Sequence, residues 1–313
     1  MPKRTASACH AARPVASPCV ARDHPGFVAD LTRRQLLLAG LYGPFALRAA
    51  RAQAPPPATA AAPRTDRRGQ VLEVDAPGLV AEDGAVDAAV AARTVDRALT
   101  SFTGDADPVS ALARFVRPAD TVGLKVDLTG GPRVVFHRAL TDRLLTHLGA
   151  LGVPPERILV FDQLRFRMVR AGYPPLPAGP ADGKTRAVRF LHHEAEGWGY
   201  EEARVPFDAK RTWRWAKLLT RCSAILNLHA AKDHRRCGVS GALVNMALGC
   251  IDDAQPLHGV LDRAVPAIYA HPTLRGRVRL SMCDAGYVLR QGGPQDQPAH
   301  RVLGQTVLIA TDP

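Results

Sequence analysis

Aromatic residues are scarce, at 5% of the 313-residue chain. With few aromatics and no helix carrying a basic stripe, a nucleic-acid partner is not expected. The six cysteines never form a C-x-x-C pair, which argues against a zinc ribbon and against a ferredoxin-type cluster. The G-x-x-x-x-G-K spacing of a phosphate-binding loop is missing, and so is the G-x-S-x-G of a serine nucleophile. No two histidines stand at i, i+4 on a helix, so no metalloprotease signature is present. There is no internal repeat. The apolar run from Leu36 to Leu47 is too short to span a bilayer.

What is present begins with "LTRRQLLLAGLYGPFALRAARAQA". It combines Arg33-Arg34, the apolar run, and a small-x-small pattern at Ala52-Gln53-Ala54. This reads as a twin-arginine export signal, addressed to the twin-arginine translocation machinery. Cleavage near Ala54 would leave a periplasmic or otherwise exported chain with no membrane span. The stretch ahead of Arg33 is long for a leader, so the start codon is expected further downstream. Residues 1–54 are thus the expected leader, and 55–69, "PPPATAAAPRTDRRG", a Pro/Ala-rich linker. Residues 70–313 are the expected folded domain, long enough to bury a real core. Removing the leader lowers Lys+Arg from 41 to 33 and Asp+Glu from 29 to 27, so the net charge falls from +12 to a mild +6. Cys222, Cys237, Cys250 and Cys283 remain. Buried free thiols are expected, because Cys222 and Cys283 sit in apolar runs; one disulfide is the alternative in an oxidising compartment.

Strand and helix patterns alternate beyond the linker. "QVLEVDA", "DTVGLKVDL", "RILVFD", "RAVRFL", "SAILNL", "VRLSMCDA" and "RVLGQTVLIATD" read as strands. Leu140, Leu144, Leu148 and Leu151 recur at helical steps, as do Val86, Val90, Val95 and Leu99 ahead of a stop at Gly104. "LRFRMVRAG" makes a short helix, "DAKRTWRWAKLLTRC" is basic and partly helical, and "SGALVNMALGCI" is a helix. The pattern predicts an α/β fold, with a mixed, largely parallel sheet flanked by helices.

In such sheets, sites form at the carboxyl ends of strands. Lys125 and Asp127 end one strand and Asp162 another. Asn227, His229, Lys232, Asp233 and His234 follow a third, and Asp284 a fourth. Lys125 lies inside "VGLKV". It is either on the exposed face of an edge strand or buried with a carboxylate or anion partner, since burying an unpaired ammonium is costly. In "LNLHAAKDHRRCGVSGALVNMALG", Ser240 reads as the N-cap of a helix starting at Gly241. Gly238 and Gly241 allow a close turn, and Lys232, His234, Arg235 and Arg236 bring positive charge to the helix N-terminus. That predicts a cradle for phosphate or carboxylate, with a solvated basic loop as the alternative. His229, His234, His258, Asp252 and Asp253 offer a divalent metal reading of the same region. Asp252 and Asp253 are expected about 15 Å away at the helix's far end. His192-His193 reads as surface and Gly292-Gly293-Pro294 as a turn.

At these residues the chain resembles the domain of unknown function 362 family. The matching stretches are "GLKVDLTGGP", "LGVPPERILVFD", "AKDHRRCGVSGALVNMALG", "LSMCDA", "GGP" and "LIATDP", and the resemblance covers nearly all of residues 71–313. It implies a shared site of Lys125, Lys232, His234, Gly238, Ser240, Asn245, Asp284 and Asp312. Some members carry ferredoxin-like clusters, unlike this chain, and some have twin-arginine leaders. The chain departs from the family pattern at Val244, where lysine is usual. It has Asp127 where Asn is common, and Asp252-Asp253 in place of an Asn pair. These changes shift the balance toward cations. Members usually continue past "TDP" with an apolar helix, so a truncated copy is one expectation.

The leading expectation is an exported enzyme acting on a small anionic substrate. Lys125 and Lys232 would serve as electrostatic groups and His234 as a general acid/base. Asp127, Gly238, Ser240, Gly241, Asn245 and Asp284 would bind the ligand. The alternatives are a non-catalytic metal- or ligand-binding protein and an inactive family copy.

Overall fold

The computed structural model describes residues 67–173 and 187–311. The expected export signal, most of the expected linker, and Asp312 lie outside the described residues. Within them, β1 (Val71–Asp75) leads to α1 (Ala88–Thr103) and α2 (Pro108–Ala113). Asp87 and Asp107 cap the two helices by accepting their first backbone N–H groups, and Gly104 ends α1 in the left-handed region. Next come β2 (Val122–Val126), α3 (Arg138–Ala150), β3 (Ile158–Asp162), α4 (Arg165–Arg170) and β4 (Arg189–His192). A small two-stranded sheet of β5 (Val205–Pro206) and β6 (Thr212–Trp213) precedes α5 (Lys217–Thr220). The chain continues through β7 (Ala224–His234), β8 (Gly238–Ser240), α6 (Ala242–Ala247), α7 (Leu261–Ala270), β9 (Val278–Leu289) and β10 (Arg301–Ala310).

The main sheet runs β1-β10-β9-β7-β2-β3-β4. The five strands β9, β7, β2, β3 and β4 are parallel, while β10 and β1 add an antiparallel margin. The expected mixed, largely parallel α/β sheet is therefore what forms. Strand alternation divides the interior in two. Leu124, Val126, Val160, Leu226 and Met282 face α1, α2 and α3 in one core. Leu159, Phe161 and Ile225 face α5, α6 and α7 in the other, with Trp213 and Trp215.

Two local expectations change. "DAKRTWRWAKLLTRC" is mostly not helical: Thr212–Trp213 pairs as a strand, and only Lys217–Thr220 is helix. "SAILNL" does not stop at Leu228. It runs on to His234 and turns back through β8, with Lys232 opposite Ser240 and His234 opposite Gly238. The stretch expected as an anion cradle, or alternatively a basic loop, is thus a β-hairpin, a tongue beyond the carboxyl end of the central strand β7. Gly238 carries φ +78° there with no atom within 4 Å of a built Cβ, so its role is the turn itself.

Candidate functional site

The parallel strands deliver their last residues to one cleft of about 370 Å³. β2 supplies Lys125 and, just beyond its end, Asp127; β3 supplies Asp162; and the tongue supplies His234 and Ser240. Asn245 of α6, Asp252, Asp253 and His258 close the cleft from the segment that follows.

Lys125 is 1% exposed on a central strand, so the edge-strand alternative fails. Its ammonium donates to Val126 O at 2.7 Å, Asp162 Oδ1 at 2.8 Å and Asn245 Oδ1 at 2.9 Å. All three N–H donors are therefore committed within the protein. Asn245 is held in turn by donating to Asn227 Oδ1 at 2.8 Å, and Asn227 donates to Ala242 O. The backbone of α6 comes close enough here that a Cβ on Gly249 would collide with Asn245 O and meet Lys125 Cε at 3.0 Å. Glycine at 249 is what lets the helix end lie against the lysine.

Lys232 does not line the cleft. It is 3% exposed and ion-paired with Asp127 Oδ2, while Asp127 Oδ1 accepts Thr129 N–H. Burial pushes the Asp127 carboxyl up, but the Lys232 and Lys125 charges outweigh it and hold the group below its ordinary value. Both lysines expected to face an anion are neutralised by carboxylates instead. The physical reason is desolvation: a buried ammonium is stable only beside a counter-charge, and the partner came from a distant strand end.

The remaining expected residues divide. Gly238 and Gly241 do not line the cleft. Ser240 does, but it is not a helix cap: Gly241 holds the N-cap position of α6 with no side-chain hydrogen bond. α6 has only six residues, and Lys232, Arg235 and Arg236 do not line the cleft beside its first turn. Asp284 lies on the opposite face of the sheet with Leu280 and Met282. It accepts from His137 N at 2.9 Å and Gly286 N at 2.8 Å, and sits 2.7 Å from His137 Nδ1. Its work is to anchor the start of α3. Burial pushes His137 down, but the Asp284 charge and hydrogen bond outweigh it and raise the imidazole above its ordinary value.

Asp252 and Asp253 were expected far from the site and instead line it. A six-residue helix advances only about 9 Å at 1.5 Å per residue, and the turn after it brings the pair back. The cleft lining carries Asp127, Asp162, Glu194, Asp252 and Asp253 against Lys125 and Arg167. Three of these five carboxylates are ion-paired, Asp127 with Lys232, Asp162 with Lys125 and Asp252 with Arg214, so the lining does not have the cationic excess that was expected. Among the described residues, no three His, Cys, Asp or Glu side chains converge to hold a metal ion.

Two histidines stack at the cleft, His234 and His258, with ring centroids 6.4 Å apart and planes 20° from parallel. His258 Nδ1 lies 2.8 Å from Ala254 O, so its neutral form carries the Nδ1 proton and presents Nε2 as an acceptor. His234 Nδ1 accepts from Arg236 N at 3.3 Å, which leaves its proton on Nε2. Burial, then the neighbouring His258, lowers the His234 pKa. His193, expected at the surface, is fully buried against Phe161 and Tyr200.

Sequence reasoning weighed His258 only as a metal ligand and missed Gln163, Arg167, Glu194 and Tyr200. Gln163 and Glu194 follow the ends of β3 and β4, so the strand-end rule reaches them; His258 has no local signal. The four cysteines Cys222, Cys237, Cys250 and Cys283 are free, and all but Cys237 are buried.

A family model described as a domain of unknown function (DUF362) matches residues 122–313. The match starts at β2, later than the resemblance from residue 71, and it includes every residue of the cleft. No curated protein matches the chain.

Proposed function

The chain belongs to the domain of unknown function (DUF362) family, and on that premise we propose that the cleft is the active site of an exported enzyme. It performs acid–base chemistry on a small polar substrate. One observation carries this reading: Asp162, which lines the cleft, is 2% exposed, and its Oδ2 has no hydrogen-bond partner among the described residues. Oδ1 of the same carboxylate is bound to Lys125, so the free oxygen is held in a fixed direction. A buried carboxylate oxygen without a donor is costly, and a substrate hydroxyl or amine removes that cost. In the same cleft, the stacked pair offers an Nε2 acceptor on His258 and an Nε2–H donor on His234. That is the complement needed to take a proton from one substrate atom and give one to another. Export rests on Arg33-Arg34 and Ala52-Gln53-Ala54.

The test is turnover of a panel of small hydroxy and amino compounds bearing phosphate or carboxylate groups, followed by NMR. Asp162→Asn should weaken binding of the turned-over compound, and His258→Gln should lower turnover by about 10² to 10⁴-fold. Binding by the wild type without any turnover would replace this reading with a non-catalytic binding protein. A second reading, a divalent cation, draws on the five lining carboxylates. Such an ion would be held through one or two carboxylates and the substrate itself, as magnesium often is. It predicts that chelator lowers ligand protection in the wild type.

A further inference from the structure

Lys125 and Lys232 are both committed to carboxylates, and a second cavity beside the cleft is lined by further cations. This cavity has a volume of about 410 Å³ and shares Tyr200, Asp252 and Asp253 with the cleft. Four cations line it, Arg204, Lys210, Arg211 and Arg214, against those two carboxylates. Asp252 is already spent on Arg214: it accepts the backbone N–H and Nε of that residue, each at 2.8 Å. Asp253 Oδ1 accepts Gln255 N at 2.9 Å. Arg211 pairs with Asp208 and donates Nε to Pro256 O at 3.0 Å. Among the described residues, Arg204 donates to Thr212 Oγ1 at 3.2 Å and lies 4.0 Å from Asp252 Oδ2. Asp208 Oδ1 accepts the backbone N–H groups of Lys210 and Arg211, at 2.9 Å each. This fixes the backbone of the turn between β5 and β6 that carries both residues. The Lys210 ammonium makes no ion pair among the described residues. Unspent donors therefore collect in a concave site that borders the cleft at Tyr200, Asp252 and Asp253.

We propose that this cavity is the anion subsite of the same active site, and that Lys210, Arg204 and Arg211 bind one phosphate or carboxylate group of the substrate. The substrate class follows: a small molecule with an oxyanion at one end and a hydroxyl or amine at the other, the second end reaching Asp162. The substrate class rests on the reading of the cleft given above; the anion subsite itself does not. Arginine suits the planar, two-oxygen face of such an anion, and lysine adds a point charge.

The experiment titrates the full chain with inorganic phosphate, and separately with sulfate and acetate, by calorimetry and thermal unfolding. Phosphate should bind and raise the melting temperature, because a ligand that binds only the native state stabilises it. The Arg204→Ala/Lys210→Ala variant should fold normally, since both side chains are exposed, and lose about tenfold or more in affinity. Preference for phosphate and sulfate over acetate identifies a tetrahedral oxyanion, and the reverse identifies a carboxylate. A control, Arg93→Ala/Arg275→Ala, removes two exposed charges elsewhere and should leave binding unchanged. The subsite is overturned if none of the three anions binds, if the Arg204/Lys210 variant binds phosphate as the wild type does, or if the control weakens binding equally. Asp162→Asn separates the two readings. Phosphate binding kept in Asp162→Asn and lost in the Arg204/Lys210 variant upholds the subsite whether or not the cleft is catalytic. Turnover lost in Asp162→Asn with phosphate binding unchanged in the Arg204/Lys210 variant overturns the subsite alone.

Discussion

At the scale of single residues, burial sorts the histidines by sign. His229 is pushed down to about 4, by burial first, with Asp127 pulling it up and Lys232 adding to the depression. His193 is pushed down to about 3 by burial, then by Lys125 and His192. Each keeps one ring nitrogen without a partner, Nδ1 of His229 and Nε2 of His193, which a neutral ring tolerates far better than a charged one. In the unfolded chain both titrate near 6.5. Their folded values lie below that, so between the two values the unfolded state binds more protons. Their contribution to stability is complete above about pH 6.5 and is lost as the pH falls toward 4 and 3, at about 1.4 kcal/mol per pH unit for each ring. His137 has the opposite sign: its raised value gives a contribution complete below about pH 6.5 that is lost as the pH rises through the folded value. Urea unfolding across pH 4.5 to 7 should therefore show a steep acid limb. His229→Gln should flatten that limb by about one ring's worth; an unchanged slope would mean that His229 is not held neutral.

At the scale of elements, the informative feature is how β7 outlasts its apolar run. Ala224–Leu228 is apolar and reads as a buried strand, whereas Lys232-Asp233-His234 reads as a loop by composition. The strand persists because Gly238–Ser240 folds back to satisfy its edge. Asp233 Oδ2 also accepts Gly293 N at 2.9 Å, and Arg235 N donates to Gly293 O. Lys232 then crosses to Asp127 at the end of β2, fastening the tongue to the central strands. Breaking one partner of a buried pair costs about 3–5 kcal/mol, while replacing both by apolar groups is often near neutral. Lys232→Met should thus destabilise by that amount in chemical denaturation, and Asp127→Leu/Lys232→Met should recover most of it. Equal losses in the single and double variants would mean that the pair does not hold the tongue. This separates Lys232 from the role expected of it, because the loss is one of fold and not of anion binding.

At the scale of the whole chain, the family match from residue 122 covers the cleft and leaves β1, α1 and α2 outside it. β1 nonetheless pairs along its full length with β10, and α1 covers the first core, so the segment before the match completes the sheet. Ahead of it, the proposed export signal gives its own prediction. Replacing Arg33 and Arg34 by lysine should strand the protein in the cytoplasm at its uncleaved size. Cell fractionation with immunoblotting checks this, and cleaved protein outside the cytoplasm in that variant would overturn the twin-arginine reading.

Periodicity in the sequence was enough to specify the layers. Runs such as Ile158–Phe161 and Ala224–Leu228 are too short for helices and read as buried strands, and the leucines of α3 recur at helical steps, so the α/β sheet was legible. The strand-end rule likewise located Lys125, Asp127, Asp162 and His234 before any geometry. What only the tertiary structure decided was the charge of the site. Whether Lys125 and Lys232 face a ligand or a carboxylate depends on which strand ends lie beside them. That adjacency joins residues 37 apart in Lys125–Asp162 and 105 apart in Lys232–Asp127, a separation that no local pattern encodes. The same holds for Asp252, Asp253 and His258, brought to the cleft by the turn after a six-residue helix. Desolvation made these pairings necessary, and chain topology determined which residues formed them.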